Sequence, residues 1–346
     1  MHSLVSFVLL PIPLLSHPAP TDPVETVEST TSPATEVAVP TVSGRLYQIQ
    51  RRTPDGWVNV ETAFRGTGEP FVTHLPAGDY RAVRPNGWAL VWRDEFDGTR
   101  PDGSGIDRTK WANEVNNYGG GNNERQAYRP EDKYSFVKDG KLHIAVYRDP
   151  HTTTDGKTQP YSSARLNTRG RGDWKYGKIE VRAKMPSGHG IWPAVWMLPT
   201  ESPHGGWAAG GEIDILESRG SAVRETTGAL HFGGAWPRNQ YVAHSYQFPQ
   251  KNAAEAFHTY AIEWTDQSIK WFVDGELVQT RTNAEWFTET ARDDPAAPFN
   301  SRFHLIVNVA VDGRFFEKTD QRADLLPDDR FPQTLLIDYI RVYQTE

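Results

Sequence analysis

The 346-residue sequence contains no cysteine. Disulfide frameworks, thiolate nucleophiles and cysteine-ligated zinc are therefore excluded. Beyond the extreme N-terminus there is no run of about 18 apolar residues, which excludes a polytopic membrane protein. An excess of positive charge is missing too: 37 Lys and Arg stand against 44 Asp and Glu, for a net charge of -7. A protein that neutralises nucleic-acid phosphates normally shows the opposite sign or a basic run, so no nucleic-acid partner is expected. Helix-period segments are nearly absent, and no internal repeat is visible, which argues against a propeller or solenoid. Aromatic residues, by contrast, are abundant, with 12 Trp, 13 Tyr and 15 Phe. That is more than one core usually needs, and flat aromatic faces are a common way to grip sugar rings. Composition leans towards a soluble carbohydrate-active protein.

Along the chain, residues 1–16 carry an apolar stretch from Leu4 to Leu15 whose length suits a signal peptide, although the basic n-region is missing. A secreted or periplasmic protein is the expectation, with no membrane insertion after processing. Residues 17–43 are rich in Pro, Thr, Glu and Val without a period, which reads as a disordered linker. Residues 44–86 alternate apolar and polar, cut by turns at Pro54-Asp55-Gly56 and Pro76-Ala77-Gly78-Asp79, and read as a small β-rich module. Residues 87–346 form the main domain. Short strands such as KLHIAVYR, GKIEVRAKM, EIDILES and RFHLIVNVAV follow one another there without βαβ alternation. That pattern indicates a sandwich of two antiparallel sheets, with at most short helices at 252–257 and 283–291.

The segment Gly210-Gly211-Glu212-Ile213-Asp214-Ile215-Leu216-Glu217-Ser218 carries the chemistry. On a regular strand Glu212 and Asp214 share a face, while Ile213 and Ile215 point into the sandwich. Strict alternation would then bury Glu217, which is costly for an unpaired acid. One extra residue, a β-bulge around Ile215-Leu216, returns Glu217 to the acidic face. Glu212 and Glu217 can then flank one site at the roughly 5–5.5 Å that retaining glycosidases use. Asp214 between them would tune their proton affinities. A solvated strand face and a calcium-binding carboxylate cluster are the rival readings of the same three acids.

GEIDILES resembles the bulged E-x-D-x-x-E signature of glycoside hydrolase family 16. The resemblance extends over LVWRDEFDG, NNYGGGNNERQAY, GKIEVRAKMPSGHGIWPAVWMLP, GALHFGG, FHTYAIEW, WFVDG and LIDYIRVYQ, and covers about residues 88–344. Within the family it is most similar to laminarinase-like endo-β-1,3-glucanases. What this implies is an all-β, concanavalin-like β-jelly roll, a polysaccharide substrate lying across the concave sheet, and a monomer. Glu212 matches the nucleophile, Glu217 the general acid/base and Asp214 the tuning acid.

The resemblance further implies sugar contacts for Trp192, which precedes Pro193-Ala194, and for Arg165. Trp207, five residues before Glu212, reads as a groove wall, and Trp196 is open between groove and core. Pro193, lacking an N–H, suggests a sheet edge or a local irregularity. Asn122 and Asn123 are open between hydroxyl partners and plain turn residues. His231 is placed near the leaving-group side. No cofactor is needed for chemistry. Many members carry a structural calcium, and the matching positions are Glu95, Gly140 and Asp338. A non-catalytic glucan-binding protein and a transglycosylase are the alternatives of function. Mixed-linkage glucan and agar-type galactan are the alternatives of substrate; the acidic balance disfavours strongly sulfated polymers.

Overall fold

Period-two alternation sets the architecture. In the Gly177–Lys184 strand Ile179, Val181 and Ala183 are fully buried, and the residues between them are partly exposed. Such a strand has one face on a core and one open. The structure is a computed structural model and describes residues 24–26, 34–98, 105–115, 121–153, 156–249, 253–317 and 322–346. The signal-peptide reading of 1–16 and most of the linker at 17–43 lie outside these residues. Two compact units are present, one ending at Asn86 and taking in Glu346, the other spanning Gly87–Thr345.

The first unit corrects the linker assignment. Ala34–Val39 is a strand, paired antiparallel along its whole length with Phe71–Pro76. Val37 and Val39 are buried against Tyr47, Ile49, Leu75 and Tyr80. Their two-residue spacing is a strand signal that the surrounding Pro and Thr obscure. Val24–Thr26 pairs with Tyr80–Val83, and the Glu346 carboxylate accepts from the Leu46 N–H and pairs with Arg84.

The second unit is a jelly-roll sandwich of two eight-stranded antiparallel sheets. One sheet, here the carboxylate sheet, runs in the order Asn239–Gln247, Glu225–Gly233, Glu212–Glu217, Ile191–Pro199, Phe303–Val311, Arg165–Asn167 and Ala112–Asn113. Asp173–Trp174 adds to Phe303–Val311. The opposite sheet runs Ser135–Lys138, Lys141–Val146, Gln333–Gln344, Gly177–Lys184, His258–Trp264, Ser268–Val273 and Glu276–Thr282. Ala89–Asp94 adds to Gln333–Gln344. Ile213, Leu230 and Val307 from one sheet meet Val181, Ile262 and Ile340 from the other in a continuous core.

The structure resolves two readings that alternation left open. Among the described residues there is no α-helix, only three single-turn 3-10 helices. Residues 283–291 are turns because their backbone bonds elsewhere: Phe287 C=O accepts from Gly233 N–H, and Glu289 N–H donates to Gly233 C=O. Pro193 lies on an interior strand, between Glu212–Glu217 and Phe303–Val311. Its carbonyl accepts from Ser218 N–H at 3.2 Å, so its N–H-less side faces the position where the carboxylate strand has just ended. The missing donor costs no ladder bond there.

Candidate active site

Gly211 turns the chain into the carboxylate strand with φ 86, a conformation open to glycine, and a Cβ there would lie 3.0 Å from Phe299 and Pro298. Glu212–Glu217 then pairs on both sides with a break in register. On one side Ala194 faces Glu217 and Val195 faces Leu216, but Trp196 faces Asp214. On the other, His231 faces Glu212, Ala229 faces Asp214 and Thr227 faces Glu217. Ile215 is the extra residue. The bulge deduced from the hydrophobic pattern is present, and it puts Glu212, Asp214 and Glu217 on one cavity.

A bulge strips backbone groups of ladder partners. Here the Asp214 carbonyl accepts from the Trp271 indole at 2.8 Å, reaching through the core from the opposite sheet. Gly228 makes room for that indole: a Cβ there would lie 2.5 Å from Trp271 Cδ1. Thr226 Oγ1 donates to the Glu217 carbonyl at 3.2 Å.

Indole donors also fix the outer acids. Trp207 Nε1 donates to Glu212 Oε2 at 2.7 Å, and Trp192 Nε1 donates to Glu217 Oε1 at 2.9 Å. His231 Nε2 lies 3.3 Å from Asp214 Oδ2 and 3.7 Å from Glu212 Oε1. Burial, and next the charge of Asp214, pushes both glutamates up, Glu212 to about 7 and Glu217 to about 8; the His231 charge opposes this in both. For His231 burial works downwards, but the Asp214 hydrogen bond and the surrounding carboxylates prevail and push it up to about 9. At neutral pH the imidazole is therefore a cation beside Asp214.

The cavity measures about 530 Å³, in the usual range of ligand sites, with the three acids in its lining. An adjoining hollow of about 360 Å³ shares Arg165, Leu198 and Trp207 with it, so the depression continues along the sheet. The sequence profile described as Glycosyl hydrolases family 16 matches residues 109–333. The chain belongs to that family. It is 39% identical to "Glucan endo-1,3-beta-glucosidase A1" of Niallia circulans over 81% of this chain, which spans 44% of that protein. It is 38% identical to "Beta-glucanase" of Rhodothermus marinus, covering 77% of this chain and 89% of that protein. The laminarinase catalytic domain of Thermotoga maritima MSB8 superposes with a TM-score of 0.65 at 36% identity, covering 75% of this chain and 100% of that domain. As a member with all three signature acids, the chain is a glycoside hydrolase.

The other sequence-selected residues divide. Trp192 lines the cavity and stacks on Phe315 with ring centroids 4.5 Å apart. Trp207 is 41% exposed and forms a wall. Trp196 faces the cavity and donates to Asn308 at 2.7 Å, with the Arg165 guanidinium 4.7 Å above its ring. Arg165 also pairs with Glu114 at 3.0 Å. Asn122 lines the cavity, whereas Asn123 does not: it is exposed with φ 59 and serves the turn. His258, outside that set, pairs with Asp274 at 2.7 Å, remote from the carboxylates in sheet order.

Sequence reasoning missed Glu124, Asn308, Trp236 and Arg314, all in the cavity lining. Asn308 had a signal, as the one amide in the apolar run of Phe303–Val311, at a position that pairs with Ala194. Glu124 is buried, which pushes its carboxyl up, against hydrogen bonds from Gln126 and Asn122 and the nearby Arg165 charge. Trp236 sits in a turn and Arg314 opens a single-turn 3-10 helix, with no periodicity to read.

The calcium positions do converge. Ala89–Asp94 pairs with residues 340–344 of the long Gln333–Gln344 strand, and Lys141–Val146 pairs with its residues 333–337. Glu95, Gly140 and Asp338 thus gather at one seam. Arg341, however, holds both Glu95 oxygens at 2.8 Å, and Arg182 holds Asp338. Calcium takes six to eight oxygen ligands, and with these carboxylates paired to guanidinium groups the backbone carbonyls, that of Gly140 among them, would supply the larger share of such a set. Among the described residues, the His/Asp/Glu group close enough to share a metal is Glu212, Asp214 and His231, the site itself.

Proposed function

We propose that the chain is a retaining endo-glycosidase that cleaves β-1,3-glucan. The observation that carries this reading is the bulged strand, which presents Glu212 and Glu217 to one cavity with Asp214 between them. Burial and the charge of Asp214 raise the proton affinity of both glutamates, which favours one of the pair carrying the proton that the acid step requires. In the first step the Glu212 carboxylate attacks the anomeric carbon, the glycosidic C–O bond breaks, and the Glu217 proton passes to the departing oxygen. In the second, water gives a proton to Glu217 and its oxygen displaces Glu212 from the anomeric carbon. Cationic His231 sits against Asp214, and the indoles of Trp207 and Trp192 orient the two reacting carboxylates.

The preference for β-1,3-glucan rests on the relatives named above. Export to the periplasm or beyond, proposed with it, rests on the apolar stretch Leu4–Leu15. The test is release of reducing ends from laminarin beside mixed-linkage glucan, agarose and carrageenan, with proton NMR of the first products. Laminarin should be cut fastest, to products first in the β-configuration, and Glu212→Ala should abolish turnover. An initial α-anomer would overturn the nucleophile assignment.

A further inference from the structure

Two loops leave opposite ends of the carboxylate sheet. One follows Glu225–Gly233, whose last residues extend past the Glu212–His231 pair, and it carries Trp236. The other follows Phe303–Val311, whose last residue pairs with Ile191 at the Glu217 end of the sheet, and it carries Arg314. Despite this separation the Arg314 guanidinium lies 5.4 Å from the centroid of the Trp236 ring. Both side chains line the cavity that holds Glu212, Asp214 and Glu217, so the contact spans it from one wall to the other.

The loops are fastened at their bases. Trp236 N–H donates to the Trp207 carbonyl at 2.8 Å, and Arg238 pairs with Glu289 at 3.0 Å. Arg314 N–H donates to the Asn122 carbonyl at 2.8 Å, and Phe315 stacks on Trp192. Gly313 has φ 88, and a Cβ there would lie 2.8 Å from the Asn122 oxygen, which leaves this loop little room to shift. Among the described residues the guanidinium's carboxylate partner is Glu317, 4.0 Å away, and both side chains are exposed. An exposed ion pair of that length contributes little. Trp236 is 60% exposed, so its ring offers a face for either the guanidinium or a sugar.

We propose that Arg314 is a clasp. It parts from Trp236 to admit a polysaccharide chain, closes over the chain at the point of cleavage, and so allows several cuts in one encounter. The inference rests on the glycosidase reading of this cleft. A guanidinium–indole contact is weak enough for an arriving chain to break, and exposed side chains change rotamer within nanoseconds. Sideways escape of a bound chain needs the contact broken again, whereas sliding lengthwise beneath it does not. The clasp therefore favours sliding over release.

The experiment uses whichever polysaccharide of the panel the wild type cuts, in insoluble form. New reducing ends are counted separately in solution and on the residual polymer. Arg314→Ala and Trp236→Ala should each lower the soluble-to-insoluble ratio by about threefold to tenfold, the range a partly exposed cation–π contact supports. The double variant should go no lower than the single ones, and Trp236→Phe should keep part of the ratio because a π face remains. Melting curves establish that each variant is folded, and Arg314→Ala decides alone if Trp236→Ala is not. An unchanged ratio in folded Arg314→Ala overturns the clasp while leaving the glycosidase reading intact. So does a faster rate on polymer at an unchanged ratio, which marks Arg314 as an obstacle only. A wild type that cuts none of the polysaccharides overturns both readings together.

Discussion

Trp271→Phe isolates the cost of holding a bulge in a catalytic strand. The indole is 2% exposed, and its N–H donates to the Asp214 carbonyl beside the bulge. Phenylalanine keeps an aromatic ring in the core but removes that donor from the carbonyl and leaves some volume unfilled. A lost buried hydrogen bond and a small cavity together cost about 2–5 kcal/mol. Stability would be read from the urea midpoint at unchanged slope. The second expectation is kinetic: Asp214 and its neighbours relax, and kcat falls by about tenfold to a hundredfold, the scale of an ångström of misplacement. Trp264→Phe is the matched control. That indole is also fully buried in the opposite sheet and donates to the Phe299 carbonyl at 3.0 Å, with no bond to an acid-bearing residue. It should lose similar stability with kcat intact. Equal stability losses with kcat unaffected in both variants would refute the claim that the Trp271 bond positions the acids.

Two further outcomes concern protonation. His231→Gln removes a cation that lowers the proton affinity of both glutamates, so both limbs of the pH–rate profile should move to higher pH; a fixed profile would take His231 out of the network. Glu217 has a folded-state pKa raised to about 8, so its contribution to stability is fully present below about pH 4.5 and lost as pH rises through 8. Glu217→Gln should therefore raise the melting temperature relative to wild type more at pH 9 than at pH 5, and an equal gain at both would contradict the raised value.

The sequence by itself determined what depends on alternation along a strand. Ile213 and Ile215 belong on the core face and Glu212, Asp214 and Glu217 together on the other, so a bulge was required before any partner strand was known, and it is present. The same local period marks the all-β class, because each strand shows its core face within five to eight residues. Contacts across the chain were decided only by the tertiary structure. Trp271 meets Asp214 over 57 residues, and Arg341 meets Glu95 over 246. Such pairings arise from strand order and register, which single-strand periodicity does not encode. Pro193 reads as an edge residue or a local irregularity, and only the neighbouring strand, which stops beside it, decides for the second. Ala34–Val39 reads as linker until Phe71–Pro76 covers Val37 and Val39. Asn122 and Asn123 are equivalent as letters, but the turn that gives Asn123 its φ of 59 leaves only Asn122 in the cavity lining. Side-chain identity supplies the chemistry of each group, whereas the distance between two groups far apart in sequence exists only once the sheets have paired.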